Sequence, residues 1–107
     1  NYSSWGVVMN SIKNIQDWYK SSCDGDWEHS SGVRITTLDN PGWYVDINLK
    51  GTKLEGIKFK EINIDNGDDD WINCRVVKNK FLGNGDPDKL ERILKIFIDY
   101  TEAMKNR

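Results

Sequence analysis

A chain of 107 residues can build one domain of two packed layers and little more. Its net charge of -2 and isoelectric point near 5.3 argue against a general electrostatic grip on nucleic acid or an anionic membrane, and no apolar run approaches the ~20 residues that span a bilayer. Charged residues make up 30% and mean hydropathy is -0.69, yet five Trp, four Tyr and three Phe supply the apolar area that a disordered chain lacks.

The chain begins "NYSSWGVVM", and Met9 opens directly onto the first periodic segment. Met9 is therefore read as the native start, Asn1 to Val8 as an extension outside the functional argument, and residues 9–107 as a single domain. Without a charged leader running into an apolar stretch, the expected location is the cytoplasm, and Cys23 and Cys74 are expected as reduced thiols.

Ile12, Ile15 and Tyr19, with Trp18 beside them, recur at helical spacing behind a cap at Asn10 or Ser11. "CDGD" stops that helix, with Gly25 positioned to take the left-handed conformation. In "GVRITTLDNPGWYVDINLKG" the alternation of Val33, Ile35 and Thr37, then of Trp43, Val45, Ile47 and Leu49, predicts a hairpin. Pro41 and Gly42 are expected at the centre of a type II turn between its strands. "GIKFKEINI" reads as a third strand with a bulge near Lys60 or Glu61, because its apolar phase changes between Ile57/Phe59 and Ile62/Ile64. "WINCRVV" and "KFLG" follow as the fourth and fifth strands. After "GNGDP", Asp86 caps a helix with Pro87 at its first position and Leu90, Ile93, Leu94, Phe97, Thr101 and Met104 on one face. The expected fold is α+β: an N-terminal helix, an antiparallel meander of about five strands and a C-terminal helix, both helices on one face.

Chemistry is harder to find. Cys23 and His29 could serve nucleophilic catalysis only if His29 lies within hydrogen-bond reach, which nothing in the spacing fixes. Cys74 lies in phase with Ile72 and Val76, where a thiol acts as a small hydrophobe. Cys23, His29 and Cys74 fall one ligand short of a structural zinc site. "DNGDDD" gathers Asp65, Asn66, Asp68, Asp69 and Asp70, but the twelfth position from Asp65 is Val76, where a calcium loop of the helix–loop–helix type needs a bidentate Glu. No catalytic residue, metal or cofactor is assigned. What remains is a binding surface: Asp26, Glu28 and His29 displayed around an anchoring Trp27, Tyr44 on the wet face of the sheet, and the acidic loop of Asp65, Asp68, Asp69 and Asp70.

"IQDWYKSSCDGDWEHSSGVRITTLDNPGWYVDINLKGTKLEG" and "DWINCRVVKNKFLGNGDP" closely resemble the immunity protein 53 family of bacterial polymorphic toxin systems, the signatures being "DWY", "GDWEH", "TLDNPGW" and "GDP". The likeness runs from about Met9 to Met104. It implies an α+β protein with prominent tryptophans that binds and neutralises a toxin encoded beside it. It does not identify the toxin; the mild acidity of the chain suits a nuclease with a basic cleft. It says nothing of oligomeric state. The departures are the Asn1 to Val8 extension and Ser31, where an aromatic residue is expected. Two other readings stand beside it: a small Cys/His enzyme, and a peptide- or small-ligand-binding module using the sheet face around Tyr44.

Overall fold

The computed structural model describes residues 11–30 and 32–105, so the expectations for Asn1 to Val8, Met9, Asn10 and Ser31, and for the Met104 side chain, lie outside the described residues. Helix α1 (Ser11–Ser22) leads through a 3-10 turn (Trp27–His29) into β1 (Val33–Leu38), β2 (Gly42–Asn48), β3 (Ile62–Asp65), β4 (Trp71–Val77) and β5 (Lys80–Gly85), and the chain closes with α2 (Leu90–Lys105). All pairings are antiparallel, and the spatial order is β1-β2-β5-β4-β3. The sheet thus consists of two meanders, β1–β2 and β3–β4–β5. They join through β2 and β5, and the connection 49–61 carries the chain from one half to the far edge of the other.

Strict alternation puts Val45 and Ile47 of β2, Ile72 and Cys74 of β4 and Phe81 of β5 on one face, all nearly inaccessible to solvent. Helix α2 covers them with Ile93, Leu94, Phe97 and Ile98, and Leu49 and Leu54 close the core below. The helix can approach because β5 presents glycines: a Cβ on Gly83 would meet Ile93 Cγ2 at 2.4 Å, and one on Gly85 would meet Lys89 Cβ at 2.6 Å. "GNG" is accordingly strand, and β5 runs further than "KFLG" indicates.

Helix α1 packs on the outside of α2. Its inward residues are Ser11, Ile15 and Trp18 rather than Ile12 and Tyr19, which stay exposed. The Trp18 ring meets Phe97 edge-on at 4.8 Å and Trp27 at 5.5 Å, and Phe97 continues to Phe81 at 5.1 Å, so aromatic contacts run from the 3-10 turn into the core. Trp27 is 4% exposed, and its indole N–H donates to the Asn48 carbonyl at 2.9 Å, tying the crossover to the end of β2.

Three local expectations change. Gly42 is the first residue of β2 and lacks a positive φ; its glycine is required because a Cβ would lie 2.4 Å from the Gly85 carbonyl oxygen. The third strand begins only at Ile62. Ile57 and Phe59 belong to an irregular segment packed on the core, pinned by the Tyr100 hydroxyl donating to the Ile57 carbonyl at 2.6 Å. Their change of phase marks where the strand starts, not a bulge. Helix α2 begins at Leu90, and Pro87 lies in the preceding turn, held where Asp86 accepts the Asp88 N–H at 2.8 Å.

Trp27→Ala removes a buried indole and its hydrogen bond together, so denaturant unfolding of the variant should show a loss of about 3–5 kcal/mol at unchanged m-value. A loss below about 1 kcal/mol would mean that the crossover is not anchored there.

Candidate functional surface

Three loops meet at one end of the sheet: 39–41 between β1 and β2, 66–70 between β3 and β4, and 86–89 before α2. With the last residue of β3 they bring together Asp39, Asp65, Asp68, Asp69, Asp70, Asp86 and Asp88, with Lys89 as the one basic residue among them. The connections at the opposite end carry Lys50, Lys53, Lys58, Lys60, Lys78 and Lys80 among Asp24, Asp26, Glu28, Glu55 and Glu61, so charges of both signs are mixed there. A chain of nearly balanced charge is thereby folded into a molecule whose negative charge is concentrated at one end, the other end being mixed.

The acidic end is rigidly built. Asp86 is wholly buried: its carboxylate accepts the Trp71 N–H at 2.9 Å and the Asp88 N–H at 2.8 Å, and pairs with Lys89 at 2.6 Å. Lys89 also reaches Asp70 at 2.8 Å. The lysine hydrogen bond, outweighing the cost of desolvation and helped by the backbone donors, holds the Asp86 carboxyl at about 2, below its ordinary 3.8. The Asp70 carboxyl is lowered too, first by its hydrogen bond to Lys89 and then by Asn66. Asp65 accepts the Gly67 N–H at 3.1 Å to shape the loop. Asp68 and Asp69 face solvent.

Asp26, Glu28 and His29 lie at the other end, beside Asn48, separated from the acidic loop by the length of β2, roughly 20 Å. They form no joint surface with Asp65 to Asp70. Glu28 turns back onto its own backbone, accepting the N–H groups of Asp24 and Gly25, each at 2.9 Å, while Asp26 and His29 are exposed. The Cys23 thiol donates to the Tyr19 carbonyl at 3.3 Å, and no hydrogen bond among the described residues joins it to His29. Burial pushes the Cys74 thiol up to about 12. Among the described residues, no three His, Cys, Asp or Glu side chains are grouped to hold a metal ion, and no helix is long and apolar enough to cross a membrane.

Tyr44 does face away from the helices. The register places it in a row that crosses all five strands: Thr36, Tyr44, Asn84, Asn73 and Asn63. Asn73 donates to Asn63 at 3.2 Å and to Glu61 at 2.9 Å, and Arg75 donates to Asn73 at 2.8 Å and to Asn84 at 3.2 Å. The adjacent row is Arg34, Asp46, Leu82 and Arg75. Trp71 belongs to this open face too, opposite Asp65, rather than to the core. A hollow of about 230 Å³ beside it, lined in part by Asn40, Asn63, Asp65 and Asp68, joins the face to the acidic loop.

Residues 12–102 match the family described as Immunity protein 53. The chain belongs to the immunity protein 53 family. No curated protein and no solved structure matches it. Within this Imm53 chain the match takes in α1 from Ile12, the whole sheet and α2 to Glu102. Reading by motif missed the asparagine row, although its signal is present: Asn63, Asn73 and Asn84 are strand-averse residues repeated in the outward phase of strands.

Because the Asp86 carboxyl titrates lower in the folded chain than in the unfolded one, its contribution to stability is complete above pH ~3.8 and fades as pH falls toward ~2. Asp86→Asn should therefore lower the melting midpoint at pH 7 and flatten its decline between pH 4 and pH 2, the residual slope coming from Asp24, Glu28 and Asp70, whose carboxyls are also lowered. Melting curves across that range check it. An unchanged slope would remove Asp86 from the acid response.

Proposed function

We propose that this chain neutralises a cognate bacterial toxin by binding it stoichiometrically in the cytoplasm, and that its acidic end makes first contact. Membership of an immunity family carries the reading. The charge segregation supports it, because a concentrated negative end speeds encounter with a basic cleft in a way that a net charge of -2 spread evenly would not. A toxin acting on nucleic acid, whose cleft must attract phosphates, has the complementary character. Inhibition would then be occlusion, which needs surface and rigidity rather than a nucleophile. The exposed acids Asp39, Asp68 and Asp69 would steer the approach, while Asp65, Asp70 and Asp86 hold the loops in shape.

The test follows from that division. Changing Asp39, Asp68 and Asp69 together to Asn removes three charges from exposed positions, where each substitution moves stability by about 0.5 kcal/mol or less. Association with the toxin domain encoded next to this chain, followed by stopped flow at two ionic strengths, should slow by about tenfold at low salt and lose most of its salt dependence. Equal rates for variant and parent at both ionic strengths would make the acidic end a bystander.

A further inference from the structure

The open face of the sheet contains a carboxylate oxygen for which the described residues supply no donor. Asp46 is 8% exposed in the middle of β2, its Oδ1 is buried without a hydrogen-bond partner, and among the described residues no cation lies within ion-pairing distance of it. Arg34 stands opposite it in register on β1 yet makes no ion pair with it. A buried carboxylate oxygen without a donor is a costly arrangement for a small domain. Asp86 shows how this same chain treats a buried carboxylate that serves the fold, with two backbone donors and a lysine. Asp46 has none of these.

The surroundings are built to match. Asn63, Asn73 and Asn84 occupy neighbouring places in three strands, where asparagine is a poor choice, and two of those strands, β4 and β5, are interior to the sheet. Their amides and Arg75 are locked together by hydrogen bonds, giving fixed donors and acceptors beside Tyr44. Departures from good strand chemistry concentrated on the face that no helix of the described residues covers mark a surface kept for recognition.

We propose that this face is where the bound toxin rests, and that a lysine or arginine side chain of the toxin inserts beside Asp46 and supplies the missing counter-charge. This rests on the reading of the chain as a toxin-binding protein. The occupant follows from the missing partner: a carboxylate oxygen without a donor, beside a row of amides, accepts a cationic group, and the hollow at Trp71 makes the face continuous with the acidic end that would guide a basic partner onto it. Arg34 and Leu82, the neighbours of Asp46 in its row, must shift aside for the inserting group. Long-range attraction and final pairing are thus assigned to different residues: the exposed aspartates set the rate of arrival, and Asp46 sets the residence time.

Asp46→Asn tests this, with the same shape and no charge. In the free chain the variant should melt at a higher temperature than the parent, because an uncompensated charge has been removed. With the purified toxin domain encoded next to this chain, its dissociation should accelerate by about tenfold or more while association changes less than about twofold. A lower melting temperature would mean that Asp46 is satisfied within the fold, and dissociation within about twofold of the parent would mean that no cation pairs with it; either overturns the placement. Parent binding with an unaltered variant would overturn this placement alone, whereas a parent chain that fails to bind the toxin would overturn the immunity reading and this placement with it.

Discussion

Much of the architecture depends on one buried carboxylate. Asp86 sits where β5 ends, at the start of the turn into α2 and against the start of β4, and each of its bonds ties a different part of the chain to that point. The Trp71 N–H fixes the strand beside it, the Asp88 N–H shapes the turn, and Lys89 is shared outward with Asp70 of the acidic loop. The indole N–H of Trp43 donates to the Pro87 carbonyl at 2.9 Å, so β2 is attached to the same turn. Once a charge is buried there, every acceptor site must be filled, and filling them leaves α2 little freedom in how it enters the core. The glycines of β5 then set how closely it can lie.

Placing both helices on one side has a functional corollary. Among the described residues the opposite face of the five-stranded sheet is left open, and β2, β5 and β4 at its middle are paired on both sides, which stiffens it. Its hydrogen bonds between side chains add to that stiffness, since Asn73 is held from two sides and Arg75 by two amides. A preformed surface loses less side-chain freedom on association, which favours a protein that acts by occupancy alone.

How much of this could be read beforehand depended on whether the information was periodic. Helix α2, the strict alternation of β2 and the exposed acidic loop were legible because burial repeats at 3.6 or 2 residues and polar breakers interrupt it. Gly85 was left outside the fifth strand and the role of Gly83 within it went unread, because both glycines make room for the close approach of α2, a contact set by tertiary packing rather than by neighbours in sequence. Gly42 was assigned to a turn for the same reason. The face that Trp71 takes was not legible, because an aromatic residue at the start of a strand carries no mark of it. Of the proposed binding residues, the acidic loop and Tyr44 were visible from sequence. Asp46 looked like any outward residue, and only the pairing of β1, β2 and β5 around it leaves its carboxylate buried.

The order β1-β2-β5-β4-β3 also concentrates the conformational entropy cost of the fold in one place. The β4–β5 hairpin closes through Lys78 and Asn79 alone, both with positive φ as a type I′ turn requires, and β1–β2 closes through residues 39–41. Each half can form on local contacts. Pairing Asn48 with Lys80 instead encloses the whole of 49–79, and the entropy of closing a loop grows with the logarithm of its length. The ladder between β2 and β5 is therefore the non-local step on which the two halves depend, and it is the same ladder that sets Tyr44 beside Asn84 and Asp46 beside Leu82. Until that seam closes, the chain holds two hairpin units and no continuous face.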